Sequence, residues 1–229
     1  YSNTFLGQIT GKETTTGYKN TFLGSRAGYN NTTGAKNIFI GSDSAYNSTT
    51  TTNTVIIGVN AGFYSNGVGN TFIGFESGSY NTGNYNTFLG SLTGRGISST
   101  SGGSNGGSNV CLGNSSGTSL TTGESNIFIG RNSGYTNTSG SWNTFLGRSS
   151  GDANITGYKN VYVGYESGYS STSAGQNTFI GLQSGYNNTI GGYNTMVGSV
   201  SGYGNTTGNS NVFIGRESGR YGNGGNNNT

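Results

Sequence analysis

Groups suited to acid–base or nucleophilic chemistry are scarce in this chain: seven carboxylates, one thiol and no imidazole. The acids are Glu13, Asp43, Glu76, Glu124, Asp152, Glu166 and Glu217. Glu76, Glu166 and Glu217 stand at one distance after a recurring glycine, but never in adjacent copies. No carboxylate pair for general acid–base work follows. Without histidine, imidazole catalysis and most transition-metal sites are excluded. Cys111 occupies a position elsewhere filled by a large apolar residue, which predicts a small buried hydrophobe rather than a nucleophile. One cysteine allows no disulfide within the chain. The glycines are not followed by Lys-Ser/Thr, so they form no phosphate loop. The aspartates of calcium-binding repeats are missing as well. The expectation is a chain that is not an enzyme and carries no cofactor or metal.

Aromatic rings are the other chemistry-bearing groups. Tyr29, Tyr46, Phe63, Tyr135, Tyr169, Tyr186 and Tyr203 all fall five residues after the recurring glycine. Exposed, such a row could stack against sugar rings while asparagines supply hydrogen bonds. The alternative is that these rings pack the turns.

What positions these groups is a repeat. A glycine returns at Gly7, Gly24, Gly41, Gly58, Gly74, Gly90, Gly113, Gly130, Gly147, Gly164, Gly181, Gly198 and Gly215. Nine intervals are 17 residues, two are 16 and one is 23. So short a period implies a solenoid of about thirteen coils, all-β and parallel, spanning 1–229 as one array. Four residues before the glycine stands an asparagine: Asn3, Asn20, Asn37, Asn70, Asn86, Asn109, Asn126, Asn143, Asn160, Asn177, Asn194 and Asn211, with Thr54 in the remaining copy. Two before stand Phe5, Phe22, Phe39, Phe72, Phe88, Phe128, Phe145, Phe179 and Phe213, with Ile56, Cys111, Tyr162 and Met196 completing the set. The position between is β-branched, and the last before glycine is Leu, Ile or Val. Asn-Thr-Phe-Leu-Gly therefore reads as a short strand ended by glycine. The remainder of each copy is turn chemistry, with a second, polar strand expected between the second and third glycines. The long interval holds a Gly/Ser-rich insertion over 95–109 that leaves the array and returns in register.

Residues two apart share a strand face, so Asn and Phe face one way and the β-branched and aliphatic residues the other. Both faces are largely apolar. Either bends turn both inward, or one apolar stripe remains outside and is buried against another copy or a partner. Phenylalanine is read here as that structural apolar stripe, either core or interface. Stacked coils would also align the asparagines into a hydrogen-bonded ladder.

Charged residues make up 7% of the chain and the net charge is +3. The cations are spread over many copies, as on a solvated face. Nucleic-acid binding would need a denser stripe. No transmembrane span is visible, so no membrane insertion is expected. The chain opens and closes in strand phase, with Asn228 and Thr229 in the Asn and Thr positions. That pattern suits a segment of a longer array or coils stacking head to tail through uncapped ends.

The stretch 20–34, Asn-Thr-Phe-Leu-Gly-Ser-Arg-Ala-Gly-Tyr-Asn-Asn-Thr-Thr-Gly, resembles repeats found ahead of the chaperone domain in bacterial and phage tail-fibre-like proteins. More distantly it is similar to the head repeats of trimeric autotransporter adhesins. The resemblance extends over all thirteen copies. It implies a left-handed parallel β-roll, often a homotrimer, working outside the cell as a stalk or attachment fibre. The adhesin heads usually carry a small residue where Phe5, Phe22 and Phe39 stand, a departure in this chain. The leading expectation is thus a structural subunit of an extracellular fibre, on a bacterial surface or phage-like particle, with itself as partner in a homotrimer or head-to-tail filament. A glycan- or surface-binding adhesin is the alternative, and an ice-binding protein with an outward Thr face is a lesser one.

Overall fold

The computed structural model describes residues 2–96, 106–222 and 224–229. It contains thirteen three-residue strands: β1 (Thr4–Leu6), β2 (Thr21–Leu23), β3 (Ile38–Ile40), β4 (Val55–Ile57), β5 (Thr71–Ile73), β6 (Thr87–Leu89), β7 (Val110–Leu112), β8 (Ile127–Ile129), β9 (Thr144–Leu146), β10 (Val161–Val163), β11 (Thr178–Ile180), β12 (Thr195–Val197) and β13 (Val212–Ile214). They form one parallel sheet in chain order. Like residues face like, as in Thr4↔Thr21, Phe5↔Phe22 and Leu6↔Leu23. The chain is therefore a β-solenoid of about twelve turns. Register survives the long interval, where Thr87 pairs with Val110 and Phe88 with Cys111. Of the expected 95–109 insertion, residues 97–105 lie outside the described part.

The expected second strand is absent from the described residues. Beyond the named strands their only bridge joins Tyr158 to Gly175. Backbone conformation explains why. In the ninth coil Ser150 N–H bonds to Gly147 O, and Asn154 N–H to Gly151 O, closing two successive turns. The second of these turns carries into the interval between the second and third glycines, Gly151 and Gly157, where Gly151 has φ of 59°. Asn154 Oδ1 then accepts Gly157 N–H at 2.8 Å, a further turn, so no extended run forms there. The backbone still ladders from coil to coil, with Gly151 N–H on Ser167 O and Ala153 N–H on Tyr169 O, at 3.0 Å each. Gly147 itself, at φ 137°, ends β9 where a Cβ would overlap the Gly164 carbonyl oxygen of the next coil. Only glycine permits that approach.

The face question is settled by the core. Phe22, Phe39, Phe72, Phe88, Phe128, Phe145 and Phe179 are fully buried, as are Ile56, Cys111, Tyr162 and Met196 in the same column. Their rings stack along the axis, for example Phe22 on Phe39 at 4.6 Å and Phe145 on Tyr162 at 4.8 Å between centroids. Phe5 and Phe213, at the two ends of the column, are only partly covered. The phenylalanine stripe is thus core and not an assembly surface.

Beside it runs the predicted asparagine ladder. The backbone N–H of Asn143 donates to Oδ1 of Asn126, that of Asn160 to Oδ1 of Asn143, and so on through Asn211, at 2.9–3.0 Å. Each amide also donates to a backbone carbonyl, as Asn143 Nδ2 does to Gly157 O at 2.8 Å. Thr54 keeps its backbone bond to Asn37 Oδ1. A serine column, unremarked in the sequence, completes the interior. Ser133, Ser150, Ser167 and Ser184 are buried, and each hydroxyl donates to the carbonyl of the core residue one coil on. An interior this polar is tolerable because most rungs meet their complement on the next; the Ser44 and Ser65 hydroxyls and the Asn137 amide are exceptions that make no side-chain hydrogen bond among the described residues.

One coil departs in a compensated way. Cys111 replaces the ring, and Leu120 stands nine residues on, where the three following coils carry buried Asn137, Asn154 and Ser171. These two columns face each other, since the Tyr162 hydroxyl meets the Ser171 hydroxyl at 2.8 Å. A Cβ on Gly117 would lie 2.8 Å from the Cys111 sulfur and 3.0 Å from Leu120 Cδ1, so these side chains meet there. Leucine fills what cysteine leaves. Cys111→Phe alone should cost about 1–3 kcal/mol through overpacking. Adding Leu120→Asn should recover most of that loss, a coupling of about 0.5–3 kcal/mol in a urea double-mutant cycle. Additive effects would show that the two side chains do not share one space.

Candidate functional site

With Phe inside, the residues on either side of it point outward. The outer face of the sheet carries Thr, Ile or Val in one column and Leu, Ile or Val in the other. Leu23, Ile38, Leu89, Val110, Leu112, Ile127, Leu146, Val161, Ile180 and Val212 are each 37–44% exposed. No strand contains a charged residue. Cations stand just beyond the strands: Lys19, Lys36 and Lys159 before them, Arg131, Arg148 and Arg216 after the glycines. An uncharged apolar centre between polar rims is the anatomy of an interface. At ~4.8 Å per strand the face extends on the order of 60 Å, giving roughly 600 Å² for a strip ~10 Å wide. Even with seven threonines in one column, that strip reaches the upper end of the ~300–600 Å² of the largest patch on a typical monomer, a size often tied to function.

Four of the acids stand two residues after the recurring glycine and are engaged in ion pairs and hydrogen bonds. Arg26 pairs with Asp43 at 2.7 Å, Arg95 with Glu76 at 2.9 Å, and Arg220 with Glu217 at 2.9 Å. Glu166 accepts from Gln183 at 2.9 Å. Asp43 shares the phase of Glu76, Glu166 and Glu217, which the sequence reading overlooked. Cys111 is buried, and that burial pushes its thiol well above the usual range, so it is held neutral. Among the described residues no group of three or more His, Cys, Asp or Glu is placed to hold a metal ion. No helix is long and apolar enough to cross a membrane among those residues.

The aromatic row is half-buried and stacked on itself. Tyr29, Tyr46 and Phe63 form one pile at 5.0 and 5.1 Å, and Tyr169, Tyr186 and Tyr203 another at 5.0 and 5.1 Å. Ring faces inside a pile are covered by neighbouring rings, so the row is no continuous platform for sugars. Lys12 caps the first pile, its ammonium 5.1 Å from the Tyr29 centroid. Tyr135 stands apart, exposed, with Thr118 and Asp152 in the flanking coils. The pile stops at Phe63 because the next coil carries Ser79 in that phase.

No protein-family model matches the chain, and neither a curated protein nor a solved structure matches it.

Proposed function

We propose that the chain is a structural rod of an extracellular fibre or surface stalk, associating side by side with copies of itself through the outer sheet face. The observation that carries this reading is the uncharged, exposed aliphatic and Thr face running over all thirteen strands. Its occupant is argued from period. Side chains repeat at every strand spacing, so the surface that matches it rung for rung is another array with the same spacing. Its estimated area is near the ~800 Å² per partner of a standard interface. A trimeric arrangement and a place on a bacterial surface or phage-like particle come from the resemblance of the repeats. Ice binding is less well supported, because Ile38, Val55, Val110, Ile127, Val161 and Val212 interrupt the Thr column.

The test is the oligomeric state of the intact chain by sedimentation velocity. Leu112→Asp with Leu146→Asp places two carboxylates on the face while leaving the core untouched. The wild-type chain should associate, and the double variant should keep its β circular dichroism but sediment as a single rod. A wild-type chain that stays single at every concentration would overturn the reading, as would association indifferent to the two carboxylates.

A further inference from the structure

Where the first aromatic pile ends, the surface opens into a cleft of about 210 Å³ lined by Asn60, Phe63, Tyr64, Glu76, Ser79 and Tyr80. We infer that this cleft binds a single neutral pyranose ring. The argument starts at Phe63. One face of its ring rests on Tyr46 at 5.1 Å, and Tyr64 meets it edge-on at 4.9 Å and 64°. No ring continues the pile, since Ser79 holds the next place. Ser79 is 3% exposed and its hydroxyl donates to Asn60 O at 2.7 Å, so it forms a fixed floor. Tyr80 instead stacks on Tyr64 at 5.4 Å and makes the side wall.

The polar groups are few and anchored, as in built ligand sites. Glu76 is held by Arg95 at 2.9 Å, and the same guanidinium lies 5.7 Å from the centre of Tyr80. A carboxylate, an asparagine and phenol rings therefore line the cleft beside the Phe63 ring, with Arg95 behind Glu76 and Tyr80. The axial C–H groups of a pyranose carry slight positive charge and pack on the negative face of such a ring, while its hydroxyls need donors and acceptors at the rim. A quaternary ammonium would also favour aromatic walls. Here the carboxylate is already neutralised by Arg95, so the site gives a cation no net charge to meet. The volume lies below the ~300–1,000 Å³ of sites for larger ligands, which limits it to one ring. The cleft is formed by turn residues and not by the sheet face, so this inference stands or falls apart from the rod assembly.

Saturation-transfer NMR on the full chain tests it, with the methyl glycosides of glucose, galactose, mannose, N-acetylglucosamine and N-acetylgalactosamine, and choline chloride as the cationic probe. Transfer to the C–H protons of at least one glycoside is expected at ~10 mM, with a Kd of about 1 mM. Phe63→Leu keeps the bulk but removes the ring, and Glu76→Gln keeps the shape but removes the charge. Each should weaken binding by about tenfold, some 1.4 kcal/mol, with unchanged circular dichroism. Transfer to no glycoside, transfer undiminished in both variants, or transfer to choline alone would each overturn the proposal.

Discussion

Phe145→Ala is expected to destabilise the rod by about 3–5 kcal/mol, the range for emptying a buried aromatic site. The ring is fully buried and stacks on Phe128 at 5.0 Å and on Tyr162 at 4.8 Å. Removing it breaks two ring pairs as well as leaving a cavity. Phe145→Asp should be worse, because a carboxylate would sit between two rings with no partner. Leu146→Ala is the control. Its neighbour side chain is 42% exposed on the outer face, and much of its apolar area is already in water. That substitution should cost about 1 kcal/mol or less. Solenoids can open locally, so urea unfolding should be paired with amide hydrogen exchange in the eighth to tenth coils. A larger loss at position 146 than at 145 would mean that the two faces have been assigned the wrong way round.

How much of this was legible beforehand follows from where the repeat is strict. Period, parallel order and register are dictated by the glycines, since Gly147 and its equivalents leave no room for a side chain under the next coil. The asparagine ladder was legible for the same reason: one amide type in one phase can only stack on itself. The inward face was not legible, because Thr144 and Leu146 on one side and Phe145 on the other are all apolar enough for a core. Ring volume and the need to shield Asn143 decide it, and both act only once coils are stacked. The second strand expected between Gly151 and Gly157 is replaced by turns, with Asn154 N–H on Gly151 O and Gly157 N–H on Asn154 Oδ1. The turn just before it was hidden too, because its left-handed position is held by Ser149, Glu166, Gln183 or even Val200, at φ of 51–61°. Such residue types do not announce positive φ, and a β-branched residue there is unusual. The serine column could have been found from Ser133, Ser150, Ser167 and Ser184 recurring three after the glycine. The cleft was legible only as the place where Ser79 interrupts a run of rings. Its walls come from the neighbouring phase, in Tyr64 and Tyr80, and depend on how adjacent coils overlay.

Asn143→Ala should rival the loss of the ring although it removes no apolar surface. The Asn143 amide oxygen accepts the backbone N–H of Asn160 at 3.0 Å and the Asn160 side chain at 3.1 Å. Its Nδ2 donates to Gly157 O at 2.8 Å and to Asn126 Oδ1 at 3.1 Å. Alanine strands the Asn160 N–H in the interior, away from water, and leaves the Gly157 carbonyl only a long bond from Asn154 Nδ2 at 3.5 Å. A stranded backbone group costs about 1–3 kcal/mol, so the loss is about 1–3 kcal/mol from Asn160 N–H alone and up to about 6 kcal/mol if the long Gly157 bond counts for little. Asn143→Asp separates the two halves of that ladder. A carboxylate still accepts from Asn160 but cannot donate to Gly157 O, and its charge is buried. Asp should therefore be at least as damaging as Ala at pH 7, and should partly recover in acid, where the protonated side chain regains a donor. Thermal unfolding of both variants at pH 7 and in acid reads the difference directly. A loss under 1 kcal/mol for alanine would show that water enters the ladder, and the interior would then owe its order to stacked rings alone.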